Sequence, residues 1–556
     1  MDYTAAQEAA LPAREICIEQ MIAKNYDVCV IGGGITGAGI ALDAATRGLR
    51  VCLIEKGDYA SGTSSKSTKL IHGGLRYLKQ LDVALVREVG QERAAVHKLA
   101  PHLVQPEKMF IPIIEGGQMG KFTTNMALWV YDKLAGVSGD DRRRMLDREE
   151  ALTAEPMLDP TIVEGGALYA EYRTDDARLT IENLKTAAAL GAVSANYVEG
   201  TRLLTDAEEM VKGVRARDRV TGIEFDIRAA VVINAAGPWV DFIRKIDRSL
   251  EGKRIFHAKG VHLVVPRERF PVRQSIYFDL PDGRMCFAIP RDRSTYFGTT
   301  DTPFEADPNH VTTTQEDLEY LLHGVNTMFP TLELRAEEIE SSWAGLRPLI
   351  NEPGKSASEM SRRDEIFESD SGLLSIAGGK LTGYRKMSER IMDKVVKRIG
   401  RGSETKTATT ALAGNDFPTF ASVVSYRTTI AAQLRKKGLP ESRADYLVHL
   451  YGGQTPDILA LADNAVPDPE LRLALAELDF AMDREQVQRL DDFTIRRTGR
   501  LYFDRSALDE LLPGLMAFFA ERKGLSEQMA HKQLERLREV SREHYVFESE
   551  GELVAA

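Results

Sequence analysis

Several protein classes are excluded by what the chain has little of. Its 556 residues hold four cysteines, Cys17, Cys29, Cys52 and Cys286, and no C-x-x-C pair. That spacing argues against a disulfide scaffold, a zinc site or a redox dithiol. Cys29 and Cys52 fall inside apolar runs that read as buried strands, where a thiol serves as a small core residue in a reducing compartment. No stretch approaches the roughly 20 apolar residues of a membrane-spanning helix. Residues 1–24 carry Glu8, Arg14, Glu15 and Glu19 where a signal peptide would be apolar, and are expected to form a leader of no assigned function. A basic excess is also missing. With 83 acidic residues against 72 Lys and Arg the net charge is -11, which argues against nucleic-acid binding, because covering a phosphate backbone calls for a positive surface. The chain shows no internal repeat and no low-complexity tract.

What is present is a long, ordinary globular composition organised around one unit. A chain this long exceeds the roughly 250–300 residues served by one core, so roughly two or three domains are expected. Tyr26–Ile31 reads as a buried strand, Gly32-Gly33-Gly34-Ile35-Thr36-Gly37 fits G-x-G-x-x-G at the turn into a helix, and a second strand ends at Glu55. In such a unit the first glycine allows the turn, the second the approach of a pyrophosphate, and the third close helix packing. The helix N-terminus favours the phosphates, and an acid about twenty residues on accepts from ribose hydroxyls. Strand, turn, helix, strand and acid occur together, which indicates dinucleotide binding. The unit alone leaves NAD and FAD open, and its place near the N-terminus favours FAD only by fold analogy.

The next stretch, Lys56–Leu78, is rich in Gly, Ser, Thr, Lys and His and poor in periodic apolar residues, as functional loops are. Within it, Thr63-Ser64-Ser65-Lys66-Ser67-Thr68-Lys69-Leu70-Ile71-His72-Gly73-Gly74-Leu75-Arg76-Tyr77-Leu78 strongly resembles the FAD-dependent glycerol-3-phosphate dehydrogenase family. Similar segments follow in order: Asp175–Leu179, Asn234–Trp239, Lys259–His262, Gly298–Asp301, Gly345–Pro348 and Gly378–Arg385. The resemblance covers about residues 25–390. It implies an α/β fold with a Rossmann-like FAD-binding domain, a mixed-sheet substrate domain interleaved with it over residues 25–402, and a mostly α-helical cap over 403–556.

The activity implied by the resemblance is oxidation of sn-glycerol 3-phosphate to dihydroxyacetone phosphate, with FAD taking hydride at N5 and a quinone as the onward acceptor. The related oxidases deliver the electrons to oxygen, and a non-catalytic redox sensor is the reading from another class. The added segment common in the oxidases is not apparent here. Carried over by position, the cofactor residues are Gly32, Gly34, Thr36, Gly37, Glu55, Thr63, Ser64, Ser65, Lys69, His72, Gly73, Ala236, Gly237, Gly379, Lys380, Leu381 and Thr382. Arg76, Tyr77, Thr300, Arg347 and Lys380 are the expected substrate ligands. Read alone, Arg76 and Arg347 are ordinary surface ion-pair residues, and His262 an ordinary structural histidine; the matched motifs make the arginines phosphate ligands and His262, ahead of His72 and His257, the base. Arg347 is also placed near the reacting hydroxyl.

Two stretches keep two readings each. Lys121–Gly136, with Phe122, Met126, Leu128, Trp129 and Val130 between lysines, suits a core helix or an interfacial membrane helix, with Arg142-Arg143-Arg144 favouring anionic lipid and Asp140 and Asp141 opposing it. Ala229–Gly237 suits a cofactor strand or a packing strand. Together these features indicate a cytoplasmic protein held peripherally at the cytoplasmic face of the cell membrane, with a homodimer left open. In the last third, Tyr426–Lys436, Leu471–Ala481 and Pro513–Arg522 have helical periodicity.

Overall fold

The structure, a computed structural model, describes residues 9–73, 83–117, 120–135, 142–351 and 364–549. Arg76 and Tyr77, with the rest of 74–78, lie outside the described residues, as do Asp140 and Asp141.

Two sheets share the work. In the first, Leu374–Gly378, Glu224–Asn234, Asn25–Ile31, Val51–Ile54 and Val193–Ala195 run parallel in that spatial order, with Asp364–Glu368 antiparallel at one edge. Val28, Cys29 and Val30 are all fully buried, which is why this segment reads as a continuous apolar run and not as an alternating one. The helix Ile35–Thr46 covers one face; its small residues let it pack against the helices Asp176–Ala189 and Tyr384–Ile399. Ala229–Asn234 lies beside the first strand, Ile31 opposite Asn234, so the end of this strand sits next to the glycine turn.

The second sheet is mixed. Ile255–Pro266 pairs antiparallel with Ser341–Ile350 on one side and Ser294–Gly298 on the other, placing His262 opposite both Trp343 and Gly298. Gln105–Ile114 and Val163–Arg173 form the other half, and the helix Gln315–Met328 buries Leu318, Leu321 and Val325 against it. The chain crosses between the sheets repeatedly. Residues distant in sequence therefore meet where the strand ends converge.

The C-terminal region is helical: Phe420–Lys436, Ala444–Tyr451, Pro469–Arg484, Arg505–Lys523 and Glu527–Arg542 are its longer elements. Two helix starts differ by more than a turn from the sequence reading, the helix read from Tyr426 beginning at Phe420. The helix expected to begin at Pro513 starts at Arg505 and runs through the proline. An interior proline loses one backbone hydrogen bond, but Leu508, Leu511, Leu515 and Phe519 are buried on both sides of it, and that apolar contact outweighs the loss.

A buried ionic network joins this region to the first sheet. Arg178 donates to both oxygens of Glu485, at 2.8 and 2.5 Å, and Lys185 lies 3.3 Å from the same carboxylate. Asp58 accepts from Arg496 and Arg497. These guanidiniums hold Asp58 below the ordinary carboxylate range against the opposing effect of burial. The 175–179 motif is thereby structural in its contacts: Asp175 pairs with Arg291, Asp176 with Lys69 and Arg178 with Glu485. At the other end of the chain, Arg14 is buried and paired with Asp218, while Cys17 and Met21 enter the core, so the helix Arg14–Ala23 packs on the body of the protein. All four cysteines are buried free thiols.

Candidate functional site

A cavity of about 870 Å³ runs from the glycine turn of the first sheet to the strands of the second. Its first end is backbone. Gly32 has φ +115°, and a Cβ there would sit 2.5 Å from the Ala235 carbonyl oxygen, so only glycine passes the chain beneath the end of the neighbouring strand. At Gly37 a Cβ would lie 1.9 Å from the Gly32 carbonyl oxygen, closer than any packing allows, so the helix can close on the turn only with glycine there. Gly34 opens the helix with no side-chain cap. Ser64 Oγ accepts from the Ile35 N–H at 2.9 Å and pins the following loop to the helix start.

Glu55 occupies the position expected of the ribose acid. Its Oε2 accepts from Gly33 N–H at 2.7 Å and its Oε1 from Gly57 N–H at 2.8 Å. Burial pushes its proton affinity up while the two N–H groups and Lys56 pull it down. Each oxygen keeps lone pairs for further donors, because a carboxylate accepts about four hydrogen bonds. Nearby, Lys56 Nζ lies 4.1 Å from the Trp239 ring centroid, and both side chains donate to Asn309 Oδ1 at 2.8 and 2.9 Å. Thr63, Ala236, Gly237, Gly379, Leu381 and Thr382 line the same cavity. This set fits an adenine dinucleotide: unbranched backbone at the turn, a helix N-terminus beside it, an acid for ribose, and room for the whole molecule.

The second end is made of side chains. Arg347 is fixed on three sides. Its Nη1 donates to Asp301 Oδ1 at 2.9 Å and to the Thr300 carbonyl at 3.2 Å, and its Nη2 donates to Thr299 Oγ1 at 2.9 Å. His262 stacks on Trp343 with centroids 4.9 Å apart and planes 15° from parallel. Its Nε2 is 3.0 Å from Thr68 Oγ1, and its buried Nδ1 has no hydrogen-bond partner among the described residues. Burial, then Arg347 and Lys69, hold its proton affinity well below the ordinary histidine value, so the ring is neutral near pH 7. Thr68 and His262 both line the cavity. His72 and Lys380 are on the wall, and the His72 ring lies edge-on to Phe287, another wall residue, at 6.1 Å. The Thr382 hydroxyl donates to the His72 carbonyl at 3.2 Å and so joins the two motifs.

Other expected residues lie off the wall, each for a visible reason. Lys69 is buried with its ammonium 2.5 Å from Asp176 and 3.1 Å from the Ser65 carbonyl, so it braces the loop. Thr300 is buried, its hydroxyl accepting from Val261 N–H and donating to the Lys259 carbonyl. Its neighbour Thr299 faces the cavity instead. Ser65 faces away from the large cavity, the Gly73 N–H points to Glu171, and Gly37 lies under the turn. Residues not singled out from the sequence also contribute: Asp301 and Thr299 orient Arg347, Thr68 contacts His262, and Lys56 and Asn309 join around Trp239. Asp301 and Trp239 stood inside motifs already noted; Asn309 carried no sequence signal.

Known proteins resemble the chain over nearly all of this framework. Residues 27–385 match the family described as FAD dependent oxidoreductase, and residues 405–530 match the C-terminal domain of alpha-glycerophosphate oxidase. The aerobic glycerol-3-phosphate dehydrogenase of Bacillus subtilis is 46% identical over 533 residues, covering 94% of this chain and 96% of that protein. That of Staphylococcus haemolyticus is 47% identical over 88% of this chain and 90% of its own length. Among solved structures, glycerol-3-phosphate dehydrogenase from Bacillus halodurans complexed with FAD superposes with a TM-score of 0.83 at 40% identity, covering 97% of this chain and 99% of that one.

Proposed function

The chain belongs to the FAD-dependent oxidoreductase family, among the aerobic glycerol-3-phosphate dehydrogenases, and we propose on that premise that it oxidises sn-glycerol 3-phosphate to dihydroxyacetone phosphate and passes the electrons to a quinone. The observation that carries this reading is the single cavity joining the glycine turn to Arg347 and His262. FAD held at the turn supplies the acceptor for the hydride on C2. The chain supplies binding and proton handling. Arg347, immobilised by Asp301 and Thr299, presents its guanidinium to the anionic or developing-oxyanion part of the substrate, with Lys380 as a second cation. Arg76 and Tyr77 complete the ligand set in this proposal.

The hydroxyl proton goes to His262, whose neutral ring is the form a base requires. His262 and Thr68 both line the cavity, and the proposed route runs through Thr68: its hydroxyl donates to Nε2 and takes the substrate proton in its place. A second reading is favoured by the position of His72, half-buried on the wall beside Phe287. Rapid mixing separates the two. With His262 as base, His262→Asn slows flavin reduction and His72→Asn slows it less; the reverse order assigns the base to His72.

Membrane contact is proposed through the helix Lys121–Ala135. Phe122, Met126 and Trp129 are 75%, 51% and 44% exposed at a spacing that puts them on one face, while Thr124 and Leu128 are fully buried on the other and Ala127 reaches the cavity wall. Both readings of this stretch thus find support in one amphipathic element. Arg143, which donates to Asn125 Oδ1 at 3.0 Å, and exposed Arg142 lie at its basic end and suit anionic headgroups. No helix among the described residues is long and apolar enough to cross a membrane. Sedimentation with anionic vesicles is expected for the full chain and not for Phe122→Asp/Trp129→Asp; equal sedimentation would refute this contact. Faster reduction of a quinone analogue than of oxygen is expected of the purified holoenzyme, and the opposite preference would make it an oxidase.

A further inference from the structure

Behind the loop Thr63–Ser65 lies a second cavity of about 110 Å³, and Ser61 and Lys66 belong to its wall as well as to that of the large cavity. Three parts of the molecule meet there: the cofactor-side loop, the strand Ser341–Ile350 through Ala344, and the C-terminal helices. Its wall carries hydroxyls from Ser65, Thr313 and Tyr502, which are 1%, 2% and 1% exposed, and none of these oxygens has a hydrogen-bond partner among the described residues. One buried hydroxyl without a partner is uncommon. Three facing one space imply an occupant that accepts from them.

The charges around the space select the kind of occupant. Lys66 makes no side-chain hydrogen bond or ion pair among the described residues, although it is half-buried and its stem is pressed by Gly345, where a Cβ would meet Lys66 Cβ at 2.7 Å. Arg496 spends Nε and Nη2 on Asp58, Asp491 and Asp492, and its Nη1 has no partner among the described residues. His544 donates Nδ1–H to the Ser342 carbonyl at 2.8 Å and is neutral. Among the wall residues the acid is Glu543, exposed at the rim. Burial and Arg496 push Lys66 down to about 8 against the pull of Glu543, and burial with Lys66 pushes His544 down to about 3. On the wall itself Lys66 and Arg496 stand against one acid, Glu543.

We propose that this chamber binds a small tetrahedral oxyanion of the phosphate type, held by Lys66 and by the hydroxyls of Ser65, Thr313 and Tyr502. Because Lys66 belongs to both walls, an anion on the chamber side neutralises a positive charge on the large cavity and weakens capture of an anionic substrate there. This coupling rests on the proposed substrate; the anion site does not. The site would make the enzyme responsive to inorganic phosphate without a shared binding position.

The test uses crystals of the FAD-loaded full chain soaked in selenate, with anomalous scattering to locate selenium. A peak is expected within hydrogen-bonding distance of Lys66 and Tyr502. It should vanish in Lys66→Met, return in Lys66→Arg and weaken in Tyr502→Phe, while any peak at Arg347 persists in all of them. In solution, inorganic phosphate should raise the KM for glycerol 3-phosphate several-fold in the native enzyme, with the part of that rise that saturates at high phosphate lost in Lys66→Met. Water alone in the chamber at saturating selenate, or a peak unchanged in Lys66→Met, overturns the anion site. A selenium peak with no phosphate effect dependent on Lys66 overturns the coupling. Failure of glycerol 3-phosphate to reduce the flavin would refute the substrate assignment and leave the selenate result standing.

Discussion

The two ends of the large cavity solve recognition in opposite ways. At the cofactor end the turn and its acid come from one continuous stretch, Gly32 to Glu55, made of backbone, missing side chains and one carboxylate tied to two N–H groups, with Ala236, Gly237 and Gly379 added from later strand ends. At the substrate end Arg347, Asp301, Thr299, His262 and Thr68 arrive from separate strands and loops, and each side chain is held by another. The first end is fixed by local geometry and tolerates no added atom at Gly32 or Gly37. The second is fixed by register between strands and tolerates a changed side chain, at the expense of chemistry. Substitutions at the first should therefore remove cofactor and fold together, and those at the second should leave a yellow protein that turns over slowly.

The largest effect is expected at Gly37→Val, since even a Cβ would lie 1.9 Å from the Gly32 carbonyl oxygen; the soluble yellow protein should be lost, and expression of normal FAD-bound enzyme would break the distinction. Next is Arg178→Met, which leaves Glu485 without its bidentate partner in a fully buried position. Removing one member of a buried pair costs about 3–5 kcal/mol, to be read as a fall in chemical-denaturation midpoint. Arg347→Ala should keep FAD and lower kcat/KM by about 10²–10³, the usual consequence of removing one preorganised donor. Thr68→Val should slow flavin reduction by substrate about as much as His262→Asn, within about 10²–10⁴, because it cuts the proton route at the neighbouring atom; a normal rate in Thr68→Val would exclude that route.

The smallest effect is a pH slope in stability. His102, His262, His449 and His544 are all held below the ordinary histidine value, chiefly by burial, His102 and His544 at about 3. The unfolded chain then binds the extra protons below about pH 6.5. Their contribution is complete above that pH and is lost as the pH falls towards 3, by up to about 1.4 kcal/mol per unit for each histidine. Urea midpoints between pH 7 and 5 should fall more steeply for the native chain than for His544→Gln.

What was legible in the sequence follows the same division. The strand, turn, helix and acid of Tyr26–Glu55 could be read because their determinants are neighbours in sequence. Gly378–Thr382 and Asn234–Gly237 could be placed near the cofactor only through family resemblance, since nothing local says that Leu374–Gly378 and Glu224–Asn234 are adjacent parallel strands. At the other end a one-residue difference decides which side chain reaches the cavity. Thr299 faces Arg347 and Thr300 is buried, and in the loop Lys66 lines the cavity while Lys69 braces Asp176. Side-chain direction at strand ends and in irregular loops is set by tertiary packing, so it was not readable from spacing. The link from Arg178 to Glu485 joins residues far apart in sequence and carried no local signature at the glutamate.

Anaerobic rapid mixing with sn-glycerol 3-phosphate tests the central claim most directly, because it requires the cofactor end and the substrate end to act on one molecule. Full bleaching of the flavin absorbance is expected for the native holoenzyme, with strongly slowed bleaching in Arg347→Ala at unchanged FAD content and none with glycerol lacking the phosphate at the same concentration. A native flavin that stays oxidised, or one that bleaches equally fast in Arg347→Ala, would contradict the account.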